Sequence, residues 1–210
     1  HGCPISVCDC SGQDGDHALA CMLRFQTSGC GMTHAAGRQS IFITGAASGM
    51  GRETARLFSR QGWFVGAFDV DQSGLQALQQ ELGADNCLAL ALDVSDRQQF
   101  ESALADFSEA TDGRMDILFN NAGIAMRGFF DEMPLEDQLR IIQVNLVGVL
   151  NGIYTALPLL KATPNALCFT TSSSSATMGM PLIAVYAATK HAVKGLTEAL
   201  SNEFRRFDVR

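Results

Sequence analysis

Positive charge is scarce in this chain: Lys and Arg number 15 against 22 Asp and Glu, a formal net charge of −7 over 210 residues. That balance argues against nucleic acid or an anionic membrane surface as the main partner. Long apolar runs are missing too, none reaching the ~18 residues that suggest a membrane span. No C-x-x-C pair occurs among the seven cysteines. His1 and His17 fit no zinc spacing and no secretory pattern opens the chain, so neither a metal site nor a disulfide knot has its usual signature. Internal repeats and linkers are also lacking. The expectation is a cytoplasmic domain that handles a small molecule.

What is present agrees. Apolar residues make up 47% and charged residues only 18%, enough for a sizeable buried core. Cys3, Cys8, Cys10, Cys21 and Cys30 crowd the first 30 residues, whereas Cys87 and Cys168 lie in apolar runs and read as core positions. Residues 1–37 carry Gly, Ser, Asp and Cys without helical or strand period. Met32 opens "MTHAAGRQSIFITG", which reads like a natural start, so residues 1–31 are expected to be a loosely packed or disordered upstream extension. The dinucleotide-binding catalytic domain proper is expected over 38–210.

From Ser40 the pattern alternates. Strands are predicted over 40–44, 64–69, 87–93, 116–123 and 166–172. Helices are predicted over about 50–61, 73–83, 97–110, 135–161 and 184–206. Short, nearly continuous apolar strands alternating with helices imply an α/β fold, a parallel sheet covered on both faces. Right-handed crossovers make it a doubly wound, Rossmann-type sheet.

"FITGAASGMGRETARLF" (42–58) runs from strand into helix through Gly45, Gly49 and Gly51. One reading is a tight connection. The other is that a pyrophosphate approaches the bare backbone at a helix N-terminus, where N–H groups have no intrahelical partner. Asp69, at the end of the second strand, favours the second reading: an acid there hydrogen-bonds the adenosine ribose 2′-OH. It would also repel a 2′-phosphate by about 4 kcal/mol per unit charge at 4 Å and an effective dielectric near 20. No Arg or Lys occupies 46–50 or 70–72 to offset that, although Arg52 is close. NAD is therefore favoured over NADP. The alternative role for Asp69 is to assist Asp71 or Ser73 in capping the next helix.

The spacing T-G-x-x-x-G-x-G (Thr44, Gly45, Ala46, Ala47, Ser48, Gly49, Met50, Gly51) resembles that of the short-chain dehydrogenase/reductase family. So do "NNAG" (Asn120, Asn121, Ala122, Gly123), "LDVSD" with its Asp93-Val94 pair, Asn145 in "VNLVG", and Tyr186 and Lys190 in "YAATK". Ser173, thirteen residues before Tyr186, matches the family serine; Ser175 in "TTSSSSA" is its rival, since period-two alternation lets only some of these serines face a site. The resemblance covers about 40–210. It implies cofactor contacts from Gly45, Ser48, Gly49, Met50, Gly51, Asp69, Asp93, Val94, Asn121, Ala122, Gly123, Tyr186 and Lys190.

A phenol ordinarily ionises near pH 10. To act as a base near neutrality it needs a neighbouring cation, and Tyr186 and Lys190 are i and i+4 on one helix face. The resemblance makes Tyr186 the acid/base in hydride transfer between NAD(H) and an alcohol or ketone. Lys190 is then the cation that favours the phenolate and holds the nicotinamide ribose. Ser173 orients the substrate oxygen, and Asn145 holds a water that relays protons. The segments "GIAMRGFF" and "ATMGMPLIAV" either line a site for an apolar, steroid-like or aliphatic substrate or simply pack the domain.

Homodimers or homotetramers through helices including 136–160 are also implied. Family members continue through a sixth strand, a nicotinamide-contacting segment, a covering loop and a seventh strand. A sheet that stops at "FDVR" (207–210) is expected to be C-terminally incomplete, to expose the apolar edge of the fifth strand, and to turn over little without those elements. The competing readings are a non-catalytic NAD-binding protein and a fragment with no activity of its own.

Overall fold

A computed structural model of the protein describes residues 37–210. The cysteine-rich stretch, His1, His17 and the expected extension, apart from residue 37, lie outside the described residues. Among the described residues, five parallel strands form one sheet: β1 (Ser40–Thr44), β2 (Phe64–Asp69), β3 (Cys87–Ala91), β4 (Ile117–Asn120) and β5 (Leu167–Thr170). Their order is β3-β2-β1-β4-β5. The direction of winding therefore reverses between β1 and β4, where open α/β sheets leave a crevice at the strands' carboxyl ends.

Period-two alternation sorts β1 between two cores. Ile41 and Ile43 face one side with Val65, Ile117 and Phe119. They are covered there by α1 (Gly49–Arg60) through Ala55 and Phe58, and by α2 (Gln72–Leu82) through Leu75 and Leu78. Phe42 faces the other side with Phe68 and Leu118, under α3 (Arg97–Ala110) and α5 (Gly148–Ala162). There the Phe42 ring stacks on Phe68 at 3.9 Å and meets Phe107 edge-on at 5.3 Å. Gly66 of β2 makes room for that cluster: a Cβ on it would lie 2.5 Å from Phe107 and 2.8 Å from Phe68. Both rings are fully buried, so Gly66→Ala is expected to overpack the core and cost about 1–3 kcal/mol in thermal or urea unfolding.

Several boundaries differ from the sequence reading. The helix expected over 135–161 is α4 (Leu135–Ile142), a π-helical turn (Gln143–Val147) and α5. By length and composition alone the 135–162 span could cross a membrane. In the fold it packs on α3 and β4 instead. Its outer face leaves Leu139, Leu150 and Tyr154 exposed, with the Arg97 guanidinium 4.9 Å over the Tyr154 ring. An expected dimer through 136–160 would cover this face. The last helix, α6, is α-helical over Ala184–Glu203 and tightens into a 3-10 turn over Phe204–Phe207.

The predicted bare edge of β5 is partly covered. Arg210 N–H donates to Ala166 O at 3.0 Å and Arg210 O accepts from Cys168 N–H at 2.7 Å, with Val209 buried beside it. Both cysteines sit in the sheet, Cys87 buried as expected and Cys168 half-buried against the core, and loss of solvation pushes both thiols up to about 12.

Candidate active site

The glycine turn after β1 lies at the crevice. Its glycines answer different demands. Gly45 adopts φ +69° and lies under the loop after β4: a Cβ there would be 2.9 Å from the Ala122 Cα. Gly51 is fixed by packing, since its Cβ would come within 2.1 Å of the Gly45 carbonyl oxygen. Gly49, at φ +51°, has nothing within 4 Å of the point where a Cβ would stand. No packing against the protein explains it; its bare backbone fronts open space at the first turn of α1.

The first turn of α1 also supplies no anion of its own. Ser48, its N-cap, makes no side-chain cap bond, and no acidic residue lies in the turn. The N–H groups and the positive end of the helix are thus left for an outside acceptor. Such a cradle fits a pyrophosphate.

Asp69 closes β2 beside this turn. Its Oδ2 accepts from Ala47 N–H at 3.0 Å and its Oδ1 from Asp71 N–H at 3.0 Å. Asp71 in turn caps α2, accepting from the N–H groups of Ser73 and Gly74 at 3.1 Å each. The Ser73 hydroxyl and the Gly74 N–H hold the Asp71 carboxyl below the usual range. The carboxylate thus braces the cap, in line with the alternative reading of Asp69, and its two oxygens retain lone pairs for further donors. Arg52 reaches away, its guanidinium 3.7 Å from Glu81 on α2.

Asp93 and Val94 follow β3. Asp93 Oδ1 accepts from Ser95 N–H at 2.9 Å and Ser95 Oγ at 2.6 Å, closing its own turn. Val94 is buried against Gly148, whose Cβ would fall 2.5 Å from the valine Cγ2.

The loop after β4 is tied to the glycine turn through Thr44. Its hydroxyl oxygen accepts from Asn121 N–H and Ala122 N–H at 3.0 Å each. Asn121 Nδ2 reaches back to the carbonyls of Thr44 and Gly45 at 3.1 and 3.2 Å. Thr44 stands inside the glycine motif, yet nothing in its spacing marks its hydroxyl as the hub.

Asn145 sits in the π-helical turn, fully buried. It accepts from Ile124 N–H at 2.8 Å and donates to Ile124 O at 2.9 Å and to Thr189 Oγ1 at 3.3 Å. Both amide hydrogens are thus committed to clamping the β4 loop to α6. Thr189, between the two motif residues of α6, carries no signal in the sequence that would single it out.

Tyr186 is the third residue of α6 and half-buried; Lys190 follows one turn later, 4% exposed. The Lys190 Nζ donates to Thr171 O at 2.9 Å and lies 5.8 Å from the centre of the Tyr186 ring. A Cβ on Gly123 would be 3.6 Å from that Nζ, so the ammonium stands where the ends of β4 and β5 meet α6. Ser173 opens a 3-10 turn (Ser174–Ala176) that packs against α6. Beside Tyr186 is an apolar cavity of 250 Å3, lined among others by Met126, Phe129, Met133, Ile141 and Leu182. Among the described residues, His191 Nδ1 pairs backward with Ala187 O at 2.9 Å.

A family model described as short chain dehydrogenase matches residues 39–210. Oxidoreductase UcpA of Salmonella typhimurium is 34% identical over 175 residues, 82% of this chain and 66% of that protein. The crystal structure of a short-chain dehydrogenase/reductase from Burkholderia phymatum in complex with NAD superposes with TM-score 0.78 at 31% identity, covering 84% of this chain and 64% of that one. A 3-ketoacyl-(acyl-carrier-protein) reductase from Brucella melitensis complexed with NADH gives 0.77 at 31%, covering 82% and 72%. The chain thus spans about two thirds of the length of the curated relatives it matches.

Proposed function

The chain belongs to the short-chain dehydrogenase family, an oxidoreductase family that binds a nicotinamide cofactor, and on that premise we propose that it moves a hydride between NAD(H) and an apolar secondary alcohol or ketone. One observation carries the reading: a buried lysine ammonium fixed at the carboxyl ends of the central strands, one helical turn from Tyr186.

The bound nicotinamide supplies or accepts the hydride. The protein's own groups handle the oxygen. During reduction, the Tyr186 hydroxyl gives its proton to the carbonyl oxygen and leaves a phenolate on the ring whose centre lies 5.8 Å from the Lys190 ammonium. During oxidation the phenolate takes the proton back from the alcohol. Ser173 donates a hydrogen bond to the same oxygen, which stabilises charge as it develops. Asn145 acts through position, keeping the β4 loop against α6. The bare backbone at Gly49 would face the pyrophosphate, with Gly51 letting the turn close behind it, and Asp69 would face the adenosine ribose.

The cavity beside Tyr186 supports an apolar substrate body. An apolar cavity of about 150 Å3 holds a benzene ring, so 250 Å3 suits an aryl ring with a short alkyl arm. Oxidation of NADH with an aryl alkyl ketone such as acetophenone tests the proposal. The expected result is turnover at least about tenfold faster than with a ketone bearing a carboxylate on the ring; equal or reversed rates would overturn the apolar assignment.

Cofactor choice is tested separately at Asp69. Asp69→Asn removes the charge that opposes a 2′-phosphate, and is expected to shift the NADH-to-NADPH affinity ratio at least about tenfold toward NADPH. An unchanged ratio would show that the carboxylate only braces the α2 cap.

A further inference from the structure

We propose that Ser175 is a positioning residue that turns Ser173 into an obligate hydrogen-bond donor toward the substrate oxygen. The inference rests on the reading of Ser173 and Tyr186 given above and deepens it.

A serine hydroxyl has one hydrogen to donate and two lone pairs with which to accept. Left alone, it rotates freely and spends part of its time pointing its lone pairs at a partner. Ser173 is not left alone. Its Oγ accepts from Ser175 N–H at 3.2 Å and from Ser175 Oγ at 3.0 Å. Both lone pairs are then occupied from one side, and the Ser173 hydrogen is the sole capacity that remains.

The burial of the two residues sets the direction. Ser175 is 1% exposed, and among the described residues its hydroxyl has no acceptor other than Ser173 Oγ. Ser173 is half-buried and caps the start of the 3-10 turn, which packs against α6. The buried hydroxyl therefore donates outward and the outer hydroxyl donates onward. Such a relay polarises the terminal O–H, because accepting hydrogen bonds strengthens a hydroxyl as a donor. With the proton of Tyr186, it gives the substrate oxygen two donors. No covalent step is added; Ser175 works only through Ser173.

The backbone bond from Ser175 survives substitution, so Ser175→Ala removes the side-chain bond alone. In steady-state kinetics, S175A is expected to lower kcat about tenfold with KM and NADH affinity within about twofold. In the S173A background the same change should have an effect under about twofold, since there is no hydroxyl left to aim. A purely structural serine would give equal losses in both backgrounds, and that result would overturn the proposal.

A second measurement does not depend on turnover. The carbonyl stretch of 13C-labelled acetophenone, bound with NAD+ in a complex that cannot react, reads hydrogen bonding to its oxygen. The band should lie at lower frequency in the unaltered protein than in S173A, and S175A should lose more than half of that displacement. An undisplaced band in the unaltered protein, or full displacement in S175A, would overturn the role of Ser175. Saturable NADH binding, measured on the same samples, separates this failure from a failure of the cofactor reading.

Discussion

Replacing Tyr186 by Phe should lower kcat/KM about a thousandfold while leaving NADH affinity within about twofold. The change deletes one oxygen and keeps the ring beside the Lys190 ammonium. Without that oxygen no side chain of α6 gives the substrate a proton: Lys190 is turned to Thr171 O and His191 is tied to Ala187 O. The proton must then come from water, and positioned acid–base groups typically contribute about 10²–10⁴-fold over that. Tyr154 provides the control, being the other of the two tyrosines and lying exposed on α5. Tyr154→Phe should leave turnover unchanged. A Tyr186→Phe variant that retained a tenth of the activity would contradict the assignment, and parallel NADH titrations would show whether cofactor binding had been lost instead.

The second large effect concerns the glycine turn, where two neighbouring substitutions should separate. Gly51→Ala drives a methyl within 2.1 Å of the Gly45 carbonyl oxygen. Backbone must move, so the cost falls on the fold: roughly 1–3 kcal/mol, or about 2–4 °C in Tm for each kcal/mol in a domain of this size. NADH binding should fall with it. Gly49→Ala meets no protein atom; its intrinsic cost is the left-handed backbone, about 1–2 kcal/mol. Its methyl would enter the space in front of the helix N-terminus, where a pyrophosphate would sit. NADH affinity should therefore drop about a hundredfold for a smaller loss of Tm than in Gly51→Ala. Thermal unfolding without cofactor, set beside NADH titration, reads both quantities. Equal affinity in Gly49→Ala and the unaltered protein would mean that the open space at Gly49 is not a phosphate site.

The parts of the fold that are legible in the sequence are those decided by short-range pattern. β1, β2 and α3 have the bounds that their apolar runs and caps imply. The differences occur where tertiary contacts override the pattern. The apolar period through 135–162 continues unbroken, so the π-helical turn at 143–147 leaves no trace in it; the turn is sustained by Asn145 bonding across to Ile124 and Thr189. β4 is shorter than the run over 116–123 implies because Asn121 and Ala122 bend away to meet the Thr44 hydroxyl.

The candidate site shows the same division. Tyr186 and Lys190 share a helix face because any i, i+4 pair does. Strand alternation cannot choose between Ser173 and Ser175, which are two residues apart and so of one parity, and β5 in any case ends at Thr170, leaving them at a 3-10 turn. The Ser175 hydroxyl bonds to that of Ser173 at 3.0 Å, a contact that neither period signals. Asp69 likewise reads from sequence as a ribose ligand or a capping aid, and its two oxygens leave room for both.

The central claim, that the β1–α1 turn and Asp69 hold NAD, is tested most directly by fluorescence. Trp63 is the sole tryptophan, buried immediately before β2, with Asp69 at the far end of that strand. Six strand residues span about 20 Å, within range of energy transfer to a reduced nicotinamide. Titration with NADH and with NADPH should give saturable quenching of Trp63 by both, with NADH at least about tenfold tighter. No saturable signal from either, or tighter binding of NADPH, would contradict the account.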